Sequence, residues 1–181
     1  MAVPVFLAGL GNLPYALTRH SVGHLIVDAL ALRLAIRLLP NKHGFLGHRI
    51  VNLGDIPVSL TLFKSNLLMN VSGPSIASIY RKTVTSTNSF VLVTDSLLHP
   101  VETLSVKKGG SANGHNGVKS VMAALGHERD FYRFRIGIGR NHTDAITYVM
   151  QSLSSHERHF WTNEGLDLII SELESVAGKS L

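Results

Sequence analysis

The chain has 181 residues and contains no cysteine. Thiol catalysis, disulfide bonds and thiolate metal sites are therefore excluded, whereas the redox compartment stays open. No apolar run approaches the roughly 20 residues of a membrane span, and no basic segment precedes the apolar stretch Ala2 to Gly9. We expect a soluble cytoplasmic protein without a signal peptide or membrane contact, or an organellar one if a presequence has been removed.

Charged residues are also scarce, at 16% of the chain, and they are biased toward the positive sign, with a formal net charge of +5. A basic balance favours an anionic partner such as nucleic acid, although many proteins of similar charge bind none. The hydrophobic content of 45% is enough to bury one substantial core. We therefore expect a single globular domain over residues 1–181.

Apolar, β-branched segments alternate along the chain with segments of helical periodicity. This order predicts an α/β fold, with a twisted mixed β-sheet covered by helices on both faces. The predicted elements are a strand at Val3 to Leu10, a helix at Ser21 to Leu38, a hairpin of Phe45 to Leu53 and Ile56 to Phe63, helices starting near Ser72 and Gly117, strands at Phe90 to Val93 and Phe134 to Gly139, a mobile loop at Lys107 to Gly114, and helices at Asp144 to Met150 and His156 to Ala177.

Several glycine-rich segments approach a known motif and fail at one position. A dinucleotide-binding loop would need its third glycine where Pro14 stands, and in a possible phosphate loop Val118 separates the glycine from the lysine. A serine nucleophile elbow would need a glycine where Asn113 stands. His156 and His159 lie one helical turn apart but lack a third ligand, so we expect neither a metal nor a cofactor. Without a cysteine or serine nucleophile, any hydrolysis is expected to activate water directly.

Five polar residues stand in loops or at a strand end, where functional residues often lie: Asn12, His20, Asn70, Asp95 and Asn116. Each has an ordinary structural explanation as a turn, capping or surface residue. Taken singly, none of them predicts catalysis.

Together, the segments around these residues resemble the bacterial and organellar peptidyl-tRNA hydrolase family. They appear in the family's order: Gly-Leu-x-Asn at Asn12, Tyr-x-x-Thr-Arg-His at His20, Met-Asn-x-Ser-Gly at Asn70, a strand-end Asp95, Gly-His-Asn-Gly at Asn116, and then Arg-Ile-Gly-Ile-Gly. The similarity runs from about residue 5 to residue 150. It implies a monomeric hydrolase with an α/β fold. This enzyme would cleave the ester between a peptide and the terminal ribose of tRNA, and so recycle tRNA for translation.

The resemblance also implies a role for each residue. His20 would take a proton from water, since an imidazole with an ordinary pKa of about 6.5 is largely neutral at cellular pH, and Asp95 would fix its tautomer. Asn12 and Asn116 would align the ester carbonyl and the attacking water, and Asn70 would orient His20 and the peptide. Tyr15 is a further candidate for substrate binding. The candidates for binding tRNA phosphates are Lys107, Lys108 and Arg135. Arg133 and Arg140 are weaker candidates, and Arg140 is better interpreted as solvated surface.

The chain departs from the family pattern in three segments. The loop after Asn12 is short and reads Leu13-Pro14, which leaves the distance from Asn12 to His20 open. Ser96 stands where the family usually has a second acidic residue, and Ala112 replaces a histidine. These changes concern substrate handling more than the base.

Two alternatives remain open. A non-catalytic RNA-binding protein of the same fold, like the plastid splicing factors that resemble this family, would have no need of His20 with Asp95. A hydrolase of small esters would have no need of Lys107 and Arg135. The joint presence of all four residues favours the hydrolase acting on tRNA.

Overall fold

A seven-stranded sheet forms the centre of the computed structural model, which describes residues 1–181. The strands are β1 (Val3–Gly9), β2 (Leu39–Asn41), β3 (Gly44–Leu53), β4 (Ile56–Ser65), β5 (Phe90–Ser96), β6 (Leu104–Lys108) and β7 (Tyr132–Gly137). Their order across the sheet is β2-β3-β4-β1-β5-β7-β6. The central strands β4, β1, β5 and β7 are parallel, whereas β2, β3 and β6 pair antiparallel at the two edges.

Six helices cover the two faces of this sheet. They are α1 (Val22–Arg33), α2 (Gly73–Thr83), α3 (Asn116–Ala124), α4 (Ala145–Met150), α5 (Ser155–Thr162) and α6 (Glu164–Gly178). Helices α1, α5 and α6 pack on one face, and α2 and α3 on the other. The predicted α/β fold with a covered mixed sheet is confirmed. None of the helices combines the length and hydropathy needed to cross a bilayer.

Strand β1 shows why its sequence is a continuous apolar run. Val5 and Leu7 join the core on the α1 face, while Phe6 and Ala8 join the core on the α2 face, and all four are fully buried. A central parallel strand is covered on both sides, so both sets of alternating side chains must be apolar. Burying each large side chain contributes about 1.5–3 kcal/mol.

Helix α1 ends at Arg33, five residues before the predicted end at Leu38. Ala35 adopts a left-handed conformation with φ of 51°, and the Ile36 N–H donates to the carbonyl of Ala31 at 2.8 Å. Glycine usually occupies such a position, so the sequence carried no stop signal there. Ile36 is thereby turned back into the core.

The predicted final helix from His156 to Ala177 is two helices, α5 and α6. The chain breaks at Asn163, whose φ is −129° and ψ is −99°. Gly165 then packs against the buried Trp161 so closely that a Cβ there would lie 2.6 Å from the indole ring. Periodicity alone could not reveal the break, because both helices keep apolar residues on the inner side.

The glycine-rich loop begins later than predicted, because Lys107 and Lys108 lie in strand β6. From Gly109 onward the backbone does leave regular structure, with positive φ at Gly109, Gly110 and Gly114. The short edge strand β2 was also not predicted.

Helix α1 carries a buried histidine whose charge state affects stability. His24 is 2% exposed, and neither ring nitrogen has a hydrogen-bond partner. Burial, and secondarily the charge of Lys64, lowers the pKa of His24 from 6.5 to about 3. The folded protein therefore holds His24 neutral over a range where the unfolded chain binds a proton.

We expect stability to fall as the pH drops below 6.5, by about 1.4 kcal/mol per pH unit from this group, until the folded state itself is protonated near pH 3. His24→Leu removes this contribution and the two unpaired nitrogens, so it should be less sensitive to acid. Urea unfolding at pH 7 and pH 5 measures the difference. The exposed His142→Leu is the matched control, and equal pH dependence in wild type and His24→Leu would contradict the assignment.

Candidate active site

A cavity of about 680 Å³ opens where the central strands end. Asn12 follows β1, Asn70 follows β4, and Asp95 lies at the end of β5. Because these three strands are parallel, their carboxyl ends meet at one edge of the sheet, where α/β proteins commonly place their sites. All six predicted catalytic and substrate residues line the cavity: Asn12, Tyr15, His20, Asn70, Asp95 and Asn116.

A buried carboxylate between two imidazoles forms the centre of the cavity. The Nδ1 of His20 lies 2.9 Å from Oδ2 of Asp95, and the Nε2 of His115 lies 2.7 Å from Oδ1. The Asp95 side chain is 2% exposed, against 19% for His20 and 15% for His115. Each carboxylate oxygen therefore has its own histidine.

These contacts decide the charge of Asp95. Burial alone would raise the pKa of this carboxyl, but the charge and hydrogen bond of His115, followed by those of His20, outweigh it and hold the pKa well below its usual range. Asp95 is therefore ionised at neutral pH. An ionised carboxylate only accepts, so each facing ring nitrogen must carry a hydrogen.

In their neutral forms, the two histidines consequently adopt opposite tautomers. His20 carries its hydrogen on Nδ1, which leaves an unprotonated Nε2 without a partner in the protein. His115 caps α3, where its Nδ1 accepts the Val118 N–H at 3.3 Å, and its Nε2–H also lies 2.9 Å from the Thr94 hydroxyl. Only His20 has a nitrogen that is free to take a proton.

His115, which contacts Asp95 and lines the cavity, was not predicted as a site residue from the sequence. It stands inside the Gly-His-Asn-Gly segment, from which only Asn116 was selected. The available signal was a histidine directly before a predicted helix, but which residue its ring contacts depends on how α3 docks beside β5. The chain pattern does not contain that information.

Asn12 is held so that its amide nitrogen is free. Its Oδ1 accepts the Met69 N–H at 2.7 Å, and its backbone N–H donates to the Ser21 hydroxyl at 2.9 Å. The Nδ2 has no partner in the protein and belongs to a residue that lines the cavity. The loop after Asn12 begins with a 3-10 turn, Leu13–Tyr15. The hydrogen bond from Asn12 to Ser21, the residue after His20, spans this loop.

The other predicted substrate residues present unpaired polar groups. Asn70 lies in a 3-10 turn after β4, Asn116 is the first residue of α3, and both are exposed. Tyr15 is 51% exposed. Apolar side chains complete the wall: Leu68, Val71, Leu97, Leu98, Ile146 and Val149.

Two arginines on β7 face the same cavity. Arg133 and Arg135 are two residues apart in the strand and so share a face, as predicted. Arg135 donates to the Ser105 hydroxyl at 2.7 Å, and Arg133 donates to the Gly109 carbonyl at 2.9 Å. Arg133 is 2% exposed with an unpartnered Nε, and burial followed by the charge of Arg135 lowers its pKa.

The two candidate lysines lie on different faces of β6. Lys107 is in register with Arg133 and shares its face. Lys108 is in register with Tyr132, lies over that ring, and is 3.6 Å from Asp130. The structure thus groups Lys107 with the arginines and separates Lys108 from them. Arg140, which we interpreted as surface, lines the cavity.

Ser96 and Ala112, which depart from the family pattern, have structural contacts. The Ser96 hydroxyl lies 2.7 Å from Nδ1 of His99 and accepts the Leu98 N–H at 3.3 Å, which closes the turn after β5. Ala112 is 9% exposed and packs in the core on the α2 face. Neither substitution disturbs the contacts of Asp95.

The fold and the cavity define a class of protein: a hydrolase with a single mixed sheet, in which a histidine oriented by a buried aspartate can activate water. A family model described as peptidyl-tRNA hydrolase matches residues 6–181. The chain belongs to the peptidyl-tRNA hydrolase family.

Individual relatives agree with the family match. The peptidyl-tRNA hydrolase of Mycobacterium marinum is 37% identical over 162 residues, which is 87% of this chain and 83% of that protein. That of Desulfitobacterium hafniense is 36% identical over 155 residues, or 83% and 81% of the two chains. The crystal structure of peptidyl-tRNA hydrolase from Acinetobacter baumannii superimposes with a TM-score of 0.81 at 26% identity, covering 99% of this chain and 91% of that one.

The opposite tautomers can be observed directly. At pH 8, long-range ¹H–¹⁵N NMR should show His20 with its hydrogen on Nδ1 and His115 with its hydrogen on Nε2. Asp95→Asn should convert His20 to a mixture, because an amide can donate as well as accept. An Nε2–H tautomer at His20 in the wild type would contradict the site geometry.

Proposed function

We propose that this protein hydrolyses the ester that joins a peptide, or an N-blocked amino acid, to the 3′-terminal ribose of tRNA, and thereby recycles tRNA. The observation that carries the proposal is the free Nε2 of His20, fixed by an ionised Asp95 inside a cavity that Asn12, Asn70 and Asn116 help to line. Membership of the peptidyl-tRNA hydrolase family supports the substrate class.

The reaction begins with a water molecule beside His20. The Nε2 of His20 accepts a proton from this water as its oxygen attacks the ester carbonyl, and Asp95 stabilises the imidazolium that forms. The negative charge that develops on the carbonyl oxygen is stabilised by the Nδ2 of Asn12, whose orientation Met69 fixes. Collapse of the tetrahedral intermediate expels the ribose oxygen, which takes the proton back from His20.

Recognition of the peptide follows from neutral polar groups beside an apolar wall. Amide side chains donate and accept without adding charge, so Asn70 can bind the peptide backbone whatever its side chains are, while Asn116 can hold the water or the carbonyl at the reacting centre. Tyr15 adds a half-exposed ring next to them. This arrangement suits an enzyme that acts on peptides of many sequences.

Recognition of the tRNA is assigned to the cations on the same face of β6 and β7. Arg135 lines the cavity and Lys107 lies on the neighbouring strand, which supports a role for both in binding phosphates near the scissile ester. Lys108 was predicted for the same role, but its contact with Asp130 on the opposite face makes it the weakest candidate. A hydrolase of small esters would not need this cationic face.

The non-catalytic alternative is disfavoured by the geometry of His20, because an RNA-binding protein gains nothing from a base fixed at a buried carboxylate. We propose that residues 1–181 act as one monomeric unit. Its substrate arises wherever ribosomes work, in the cytoplasm or in an organelle that translates.

His20→Ala should abolish release of tRNA from N-acetyl-aminoacyl-tRNA, with a loss of kcat of about 10²–10⁴-fold and an unchanged fold by circular dichroism. The control is His127→Ala, which alters an exposed histidine outside the cavity. Full activity of the His20→Ala protein would refute the mechanism, and tRNA binding without turnover by the wild type would favour the RNA-binding alternative.

Lys107→Ala and Lys108→Ala form a matched pair on opposite faces of β6. We expect Lys107→Ala to raise KM and to reduce the dependence of log kcat/KM on log salt by roughly one unit, because one phosphate contact is lost. Lys108→Ala should leave both unchanged. Equal effects of the two substitutions, measured between 50 and 200 mM salt (roughly the range over which such contacts weaken), would contradict the assignment of the tRNA face.

A further inference from the structure

The cluster of His20, Asp95 and His115 has the composition of a metal site. Its ligating atoms, one from each residue, all lie within 4.8 Å of one another. The three residues come from a turn before α1, the end of β5 and the start of α3, so no sequence spacing reveals them as a set. The sequence had led us to expect no metal.

We propose that this cluster is a reversible binding site for a divalent transition-metal ion of the zinc type, and that the bound ion inhibits the enzyme. The inhibitory part rests on the proposed role of His20 as base. Two imidazole nitrogens and one carboxylate oxygen are a ligand set that Zn²⁺ favours. With Zn–N and Zn–O bonds of about 2.0–2.2 Å, ligand atoms stand roughly 3.5 Å apart, so small rotations of the two rings suffice.

The charges around the cluster predict moderate affinity. Asp95 is the only acidic side chain among the three ligands. Arg133 and Arg135 line the same cavity and repel a cation. We therefore expect weaker binding than at a structural zinc site, which suits a reversible inhibitor and not a permanently bound cofactor.

Metal binding and base catalysis are mutually exclusive for a simple reason. A neutral imidazole carries a hydrogen on only one of its two nitrogens. When Nδ1 of His20 binds the ion, that hydrogen therefore resides on Nε2. The Nε2 then has no lone pair with which to accept a proton from water. At His115 the hydrogen moves the other way, from Nε2 to Nδ1, and the bond from the Val118 N–H is lost. Both tautomers reverse, and no net proton is released.

The test measures Zn²⁺ binding without tRNA, by competition with a metal indicator dye at pH 7.5. His115→Asn should weaken binding by about 10–100-fold or more, while its side-chain oxygen preserves the cap of α3. His156→Ala, which removes an exposed histidine paired with Glu102, should leave the affinity unchanged. The ¹⁵N tautomer signals of His20 and His115 should exchange when Zn²⁺ is added.

Hydrolysis by the wild type should fall in proportion to site occupancy and return when EDTA is added. Wild-type affinity in the His115→Asn protein, or loss of binding only in His156→Ala, would overturn the site. Full hydrolysis with the site occupied would overturn the inhibition. Absence of hydrolysis by the EDTA-treated wild type would refute the proposed function and not the site, because metal binding is measured independently.

Discussion

The buried charge of Asp95 is the constraint on which the site depends. A carboxylate at 2% exposure is costly unless each oxygen is paired, and removal of one partner leaves part of that cost uncompensated. The two partners, His20 and His115, come from segments 95 residues apart in the chain. One ionised group therefore fixes the turn before α1 and the start of α3 against the end of β5.

Pairing both oxygens also makes the two histidines chemically different. The Nδ1 of His115 accepts the Val118 N–H at the start of α3, and its Nε2–H donates to Asp95. This ring therefore has no free nitrogen. The same carboxylate leaves His20 with one free nitrogen. A single anion thus makes two neighbouring imidazoles differ in their free nitrogens. The His-Asp-His cluster therefore has one ring nitrogen without a partner in the protein.

Patterns that depend on neighbouring residues in the chain could be predicted from the sequence, whereas contacts between distant segments could not. The buried strand β1, the hairpin β3–β4 and the cavity residues named from the ordered motifs all lie where expected. The errors concern backbone turns without a glycine signal, as at Ala35, and the start of the loop predicted from Lys107, since strand β6 continues through Lys108. His115 was missed because its partner is supplied by tertiary packing.

The loop after Asn12, which we expect to be short for the family, brings Asn12 and His20 to the same cavity. The two ends of this loop are bonded to each other, and Asn12 is also bonded to the turn after β4. The Ser21 hydroxyl accepts the Asn12 N–H beside His20, and the Met69 N–H fixes the Asn12 side chain from the other side. Pro14 restricts the backbone of the remaining turn, which lowers the entropy lost on ordering it. The bond from the Asn12 N–H to the Ser21 hydroxyl therefore fixes the separation of Asn12 and His20, and backbone bonds from Tyr15 to Asn12 and from Thr18 to Tyr15 hold the segment between them.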